Sequence, residues 1–256
     1  MCLIGFNWKN HATYKLILLA NRDEFYQRKT AAAHFWEDYP GILAGRDLEA
    51  GGTWMGIHTQ GRFTALTNYR DLKNLKAAAP SRGDLTVNFL KTDISPKLYL
   101  EQIAPQADAY NGFNLLVGTL DELYYFSNYE NKIRGLKPGL YGLSNHLLDT
   151  PWYKVQKIKD KLSEELQKDS IDIEMLLKAL YDLEKPKTAQ IQQTGLPQEQ
   201  EKMLSSVFIE SPHYGTHASS IWLLDYDNRL TFIERRYHNQ DHPGKVTEQQ
   251  FELKFE

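Results

Sequence analysis

Cys2 is the only cysteine in 256 residues, and it stands directly behind Met1 in "MCLIG". Removal of Met1, a common event before a small side chain, would leave Cys2 carrying a thiol and a free α-amine on one carbon. An unperturbed thiol titrates near ~8.5 and an α-amine near ~7.7–8.0, so the two can exchange a proton near neutrality. The thiolate attacks a carbonyl and the protonated amine serves the leaving group, so a single residue supplies nucleophile, base and acid. The opposing reading is packing: free cysteine is among the most buried residue types, and "CLIGF" also reads as the start of a buried strand.

Other polar residues gather where apolar runs end. "LLANRDEFYQR" puts Asn21, Arg22, Asp23 and Glu24 together, "ALTNYRD" closes on Asn68 and Arg70, and "YGLSNHLLD" closes on Ser144 and Asn145. Each can be an ordinary turn, since asparagine favours turns. Asparagine amides are also what acyl transfer needs, because they donate to a developing oxyanion without carrying charge. Arg22, if close to the thiol, would favour the thiolate.

Metal and phosphate chemistry find less support. The eight histidines show no paired ligand spacing; His213 and His217 are four apart, but Gly215 lies between them. "GLKPG" and "GGTWMG" do not continue into a helix as a phosphate-binding loop does. No metal and no cofactor are expected.

These residues must be held by strands. "YKLILLA" is rich in aliphatics, "GTWMGIHTQGRFTALTN" reads as a hairpin turning at Thr59-Gln60-Gly61, and "GFNLLVGTLDELYYFSN" as another around Leu120-Asp121-Glu122. Strands are also expected over Ile133–Leu136, Tyr141–Ser144, "SSVFIE", "ASSIWLLD", "LTFIERRYH" and "FELKF". Helices are expected at "SRGDLTVNFLK", capped by Ser81; at "SPKLYLEQIA", capped by Ser95; and at "TPWYKVQKIKDKLSEEL", opened by Thr150 and Pro151. "DIEMLLKALYDLE" follows, and Lys185–Lys202 reads as a mobile loop. Adjacent hairpins imply largely antiparallel sheets. Strands at both ends with helices between fit a four-layer αββα sandwich in the α+β class.

Composition sets the outer bounds. With 41% hydrophobic and 25% charged residues, the chain is expected to form a single domain over 1–256. A net charge of -3 offers no basic field for nucleic acid. The run "LILLA" is far short of a membrane span or a signal peptide, so a cytoplasmic protein with no membrane span is expected.

"MCLIGF", "LLANRDEFYQR", "GGTWMGI…GRFTALTNYRD", "SRGDL" and "GLSNHLLDTPWYKV" occur in an order that resembles the NRDE family, also called the transport and Golgi organisation protein 2 family. That family is distantly similar to N-terminal nucleophile hydrolases of the cholylglycine hydrolase and penicillin V acylase type, which implies an αββα fold. The resemblance implies Cys2 as nucleophile, Asp23 as the aspartate that holds its amine, and Asn68 and Asn145 as the two site asparagines, the latter at the oxyanion. The hydrolases carry an arginine three positions before the aspartate, where this chain has Ala20; Arg22 is adjacent but points elsewhere along the strand. The family's late Tyr-Gly-Thr-Arg-Ser-Ser reads "YGTHASS" here, so His217 replaces an arginine. Arg22, Arg70 and His217 are expected to meet the substrate. The implied function is hydrolysis or transfer at a non-peptide amide bond, with a small acyl amide or lipid-like ligand as partner. The alternative is a carrier for an acyl lipid, a coenzyme A ester or haem on the same fold.

Overall fold

The computed structural model describes residues 2–237 and 245–256. Along the chain run β1 (Cys2–Trp8), β2 (Tyr14–Phe25), β3 (Thr30–Phe35), β4 (Ile42–Asp47), β5 (Met55–His58) and β6 (Arg62–Asn68). Next come helices α1 (Gly83–Lys91) and α2 (Pro96–Ile103), then β7 (Phe113–Gly118), β8 (Leu123–Ser127), β9 (Arg134–Gly135) and β10 (Gly139–Leu143). Helices α3 (Tyr153–Glu165), α4 (Ile173–Leu180) and α5 (Gln198–Met203) precede β11 (Tyr214–Asp225), β12 (Arg229–Arg236) and β13 (Thr247–Lys254).

Contacts divide the chain into two compact units, each built from separate stretches. The first takes the chain up to Gln27, Pro138–Ser144 and Leu148–Leu253. Its six-stranded sheet has the order β10-β1-β2-β11-β12-β13, and every pairing from β10 through β12 is antiparallel. Leu3, Ile17, Leu19, Ile221, Leu223 and Ile233 form one face of that sheet, packed against Val155, Ile158 and Leu162 of α3 and Leu176, Leu177 and Leu180 of α4.

The second unit takes Arg28–Lys137, Asn145–Leu147 and the last three residues. Its seven strands follow chain order, β3 to β9, as an antiparallel meander. Leu85, Phe89 and Leu90 of α1 and Tyr99, Leu100 and Ile103 of α2 pack on Ile42, Leu66, Phe113, Leu115 and Val117. Two largely antiparallel sheets, each covered by helices, bear out the α+β class.

Both hairpins turn where expected. Gly61 takes φ +78 between β5 and β6, a conformation that favours glycine over other residues. Two helix starts differ from expectation. Ser95 caps α2 by accepting from the Leu98 N–H, as expected. Arg82, not Ser81, precedes α1, with no side-chain cap. Likewise α3 begins at Tyr153 behind an uncapped Trp152, so Thr150 and Pro151 lie outside it. "SSVFIE" forms no strand, because the hydroxyls of Ser205 and Ser206 bond backward to the Glu201 and Met203 carbonyls. The segment read as a mobile loop is organised around the buried Glu201 carboxylate on α5, which accepts from Thr194 Oγ1 and from the N–H groups of Thr194 and Leu196. His238 of "LTFIERRYH", like Met1, lies outside the described residues.

Candidate active site

Strand alternation decides which way Cys2 faces. Leu3 belongs to the core under α3 and α4, and a Cβ placed on Gly5 would meet Ile158 of α3 at 3.1 Å. Successive side chains point to opposite faces, so Cys2, Ile4 and Phe6 face away from those helices. Cys2 is buried, at 9% exposure. The hydroxyl of Ser144 donates to its carbonyl at 3.1 Å, tying the end of β10 to the start of β1.

Directly opposite Cys2 on β2 stands Arg22. Facing residues in a strand pair share a face, so the guanidinium and the thiol lie on the same side of the sheet. This corrects the expectation that Arg22 points elsewhere. Ala20 lies one step along the same face, opposite Ile4. The row continues through Ala218 on β11 to Arg236 on β12, and the next row runs from Ala20 through Ser220 to Glu234. Arg22, Ser220, Glu234 and Arg236 are all buried. Sequence reasoning missed the last three; the signal was "TFIERRY", in which Phe232, Glu234 and Arg236 alternate with Ile233 of the core.

Asp23 faces the other way, toward α3. Its Oδ1 accepts from Thr216 Oγ1 at 2.7 Å, and Thr216 Oγ1 in turn accepts from the Ile209 N–H. Its Oδ2 lies 3.8 Å from Nζ of Lys154, and both side chains are fully buried. Burial pushes the Asp23 carboxyl up from its ordinary range, opposed by the Lys154 ammonium and by the bond from Thr216. Burial likewise pushes the Cys2 thiol up, although Arg22 and the backbone N–H of Asp23, directed at the sulfur, act the other way. The thiolate-favouring effect expected of Arg22 is present but does not win. Lys154 also went unnoticed in the sequence, because lysine is almost never fully buried unless paired.

His217 occupies the bulge where the β2–β11 register shifts, between Thr216 and Ala218. Its Nε2 donates to the Phe25 carbonyl at 3.1 Å, and its ring lies beside Tyr26.

In the second unit, Asn68 ends β6 and Asn145 is fully buried. Asn145 Nδ2 donates to the Asn68 carbonyl at 3.0 Å, and the Arg70 N–H donates to the Asn145 carbonyl at 2.8 Å. Asn114 on β7 braces the same segment, donating to Thr67 Oγ1 and to the His146 carbonyl while accepting from the Tyr125 hydroxyl. Tyr69 and His146, each one residue past an asparagine, join through Tyr69 Oη and His146 Nε2 at 2.9 Å. The Asn145 side chain is thus tied to the end of β6, and the backbone beside it is braced by Arg70 and Asn114. Among the described residues, no group of three His, Cys, Asp or Glu side chains could hold a metal ion.

A sequence profile described as Transport and Golgi organisation 2 matches residues 1–239. The chain belongs to the Transport and Golgi organisation 2 family. Family members include the Transport and Golgi organization protein 2 homolog of Homo sapiens, 37% identical over 267 residues that cover 94% of this chain and 95% of that protein. The Transport and Golgi organization protein 2 of Drosophila melanogaster is 28% identical, over 100% of this chain and 99% of that protein. Among solved structures, a mutant conjugated bile acid hydrolase from Clostridium perfringens shares the fold, with a TM-score of 0.50 at 8% identity over 99% of this chain and 97% of its own. The family membership and the likeness to a hydrolase fold are those expected from the sequence motifs. No helix of the described residues is long and apolar enough to cross a membrane.

Proposed function

We propose that the protein is an N-terminal-cysteine hydrolase or acyltransferase acting on a non-peptide carbon–nitrogen bond. A shared fold does not carry function by itself. The observation that carries this reading is the pairing of Cys2 with Arg22, backed by Asp23 held between Thr216 and Lys154. Such concentration of buried charge around one thiol is costly unless it serves a purpose.

A thiol held up by burial needs a base within reach, and the α-amine exposed by loss of Met1 supplies one. The S–H proton passes to the amine and the sulfur attacks the amide carbon. The C–S bond forms, the oxyanion is met by uncharged amide donors, and the ammonium returns its proton to nitrogen as the C–N bond breaks. Water then attacks the thioester, giving a proton to the amine, and the acid and free thiol are released. With an alcohol or amine in place of water, the same step is acyl transfer. Asp23 holds the amine in register throughout.

Arg22 and His217 are assigned to the substrate. Arg236 and Glu234 lie on the same face of the sheet as Cys2 and Arg22. This reading requires a free amine on Cys2. Intact-mass measurement of the natively expressed protein is expected to show loss of Met1; quantitative retention of Met1 would exclude the mechanism.

A further inference from the structure

Lys154 breaks two local rules at once. It is the second residue of α3, where the positive end of the helix dipole disfavours a cation, and its ammonium is fully buried, where desolvation disfavours any charge. Val155, its neighbour, is the side chain that belongs to the apolar core. Conflicts between local preference and global structure concentrate at functional sites.

What faces Lys154 is Asp23, at 3.8 Å. That separation is within ion-pair reach but longer than a hydrogen bond. Around the carboxylate stand Cys2 from β1, Glu24 from β2 and Thr216 from β11, with Tyr26 and His217 further along the same strand ends. Glu24 is the one other carboxylate among these groups. On the hydrolase reading, in which Asp23 holds the amine of Cys2, that amine and the Lys154 ammonium draw on the same negative charge.

We propose that Lys154 is a positioning residue which, by sharing Asp23, keeps the amine of Cys2 in its proton-accepting form. The inference rests on the hydrolase reading, since it concerns the amine that reading requires. With Asp23 as its sole counter-ion, a freed amine would be held as ammonium and could not take the thiol proton. A second cation beside the same carboxylate disfavours that ammonium, by about one pH unit for like charges at this range. The thiol proton then has an acceptor near neutrality, and the ammonium formed in the reaction is acidic enough to release its proton to the leaving nitrogen.

The single cysteine makes this directly measurable, because protein grown on carbon-13 cysteine reports Cys2 alone. A leader peptide cut immediately before Cys2 guarantees the amine, whatever happens to Met1 in the cell. Nuclear magnetic resonance titration of that label is expected to show the native amine deprotonating below the ordinary range of ~7.7–8.0. Lys154→Arg should follow it, and Lys154→Met should deprotonate about one pH unit higher. Superimposable curves for the native chain and folded Lys154→Met would overturn the proposal. So would a native midpoint at or above the ordinary range, which decides the matter if Lys154→Met fails to fold. Turnover does not enter the measurement, so absence of hydrolase activity would count against the parent reading and leave this result standing.

Discussion

Lys154 Nζ and Asp23 Oδ2 lie 3.8 Å apart with both side chains fully buried. Removing one member of such a pair leaves a buried charge uncompensated, at a cost of about 3–5 kcal/mol, whereas removing both is much milder. Lys154→Met and Asp23→Asn should each lower stability to chemical denaturation by about that amount. The double variant should lose far less than the two losses added. Additive losses would mean that the pair is not coupled.

Cys2 carries a raised thiol pKa because it is buried, which ties stability to alkaline pH. The sign follows from proton binding. Above the unfolded thiol's ordinary value the unfolded chain gives up a proton that the folded chain retains, so stability is full below that value and falls as pH rises through the folded one. Cys2→Ser has no thiol to ionise and should flatten the fall in unfolding free energy above about pH 9. Parallel pH profiles for the two proteins would show that the sulfur is not desolvated. Alkylation of folded Cys2 should correspondingly be slower at neutral pH than that of the denatured chain.

Asn145 Nδ2 donates to the Asn68 carbonyl at 3.0 Å. Asn145→Leu should reduce turnover by about 100- to 1000-fold if the amide meets an oxyanion. Loss of the bond to Asn68 should lower stability by only about 1–3 kcal/mol. Full activity in the folded variant would reduce Asn145 to a turn residue.

Much of the fold was legible because strand and hairpin signals are local. Gly61 marks its turn by itself, and the alternation of Ile4 and Phe6 against Leu3 and Gly5 follows from position alone. Helix starts misled where the residue that looked like a cap, Ser81 or Thr150, was displaced by one or more positions from the start that packing selected. The site was legible only in part. Cys2, Arg22 and Asp23 are close in sequence to strand ends and announce themselves. Lys154 comes from a helix, and Glu234 and Arg236 from a strand far along the chain, so nothing short of the β2–β11–β12 register brings them into view. The direction of the thiol's shift was misjudged for a related reason: Arg22 is visible in sequence, whereas the burial that outweighs it is not.

On the hydrolase reading, Cys2 forms a covalent acyl intermediate. Protein lacking Met1, incubated with a panel of acyl amides with and without a carboxylate, should gain one acyl group by mass spectrometry, mapped to Cys2 and absent from Cys2→Ala. The adduct should disappear with time as product acid accumulates. Recovery of every amide unchanged, with ligand bound but no mass gained on Cys2, would exclude that intermediate and favour a carrier.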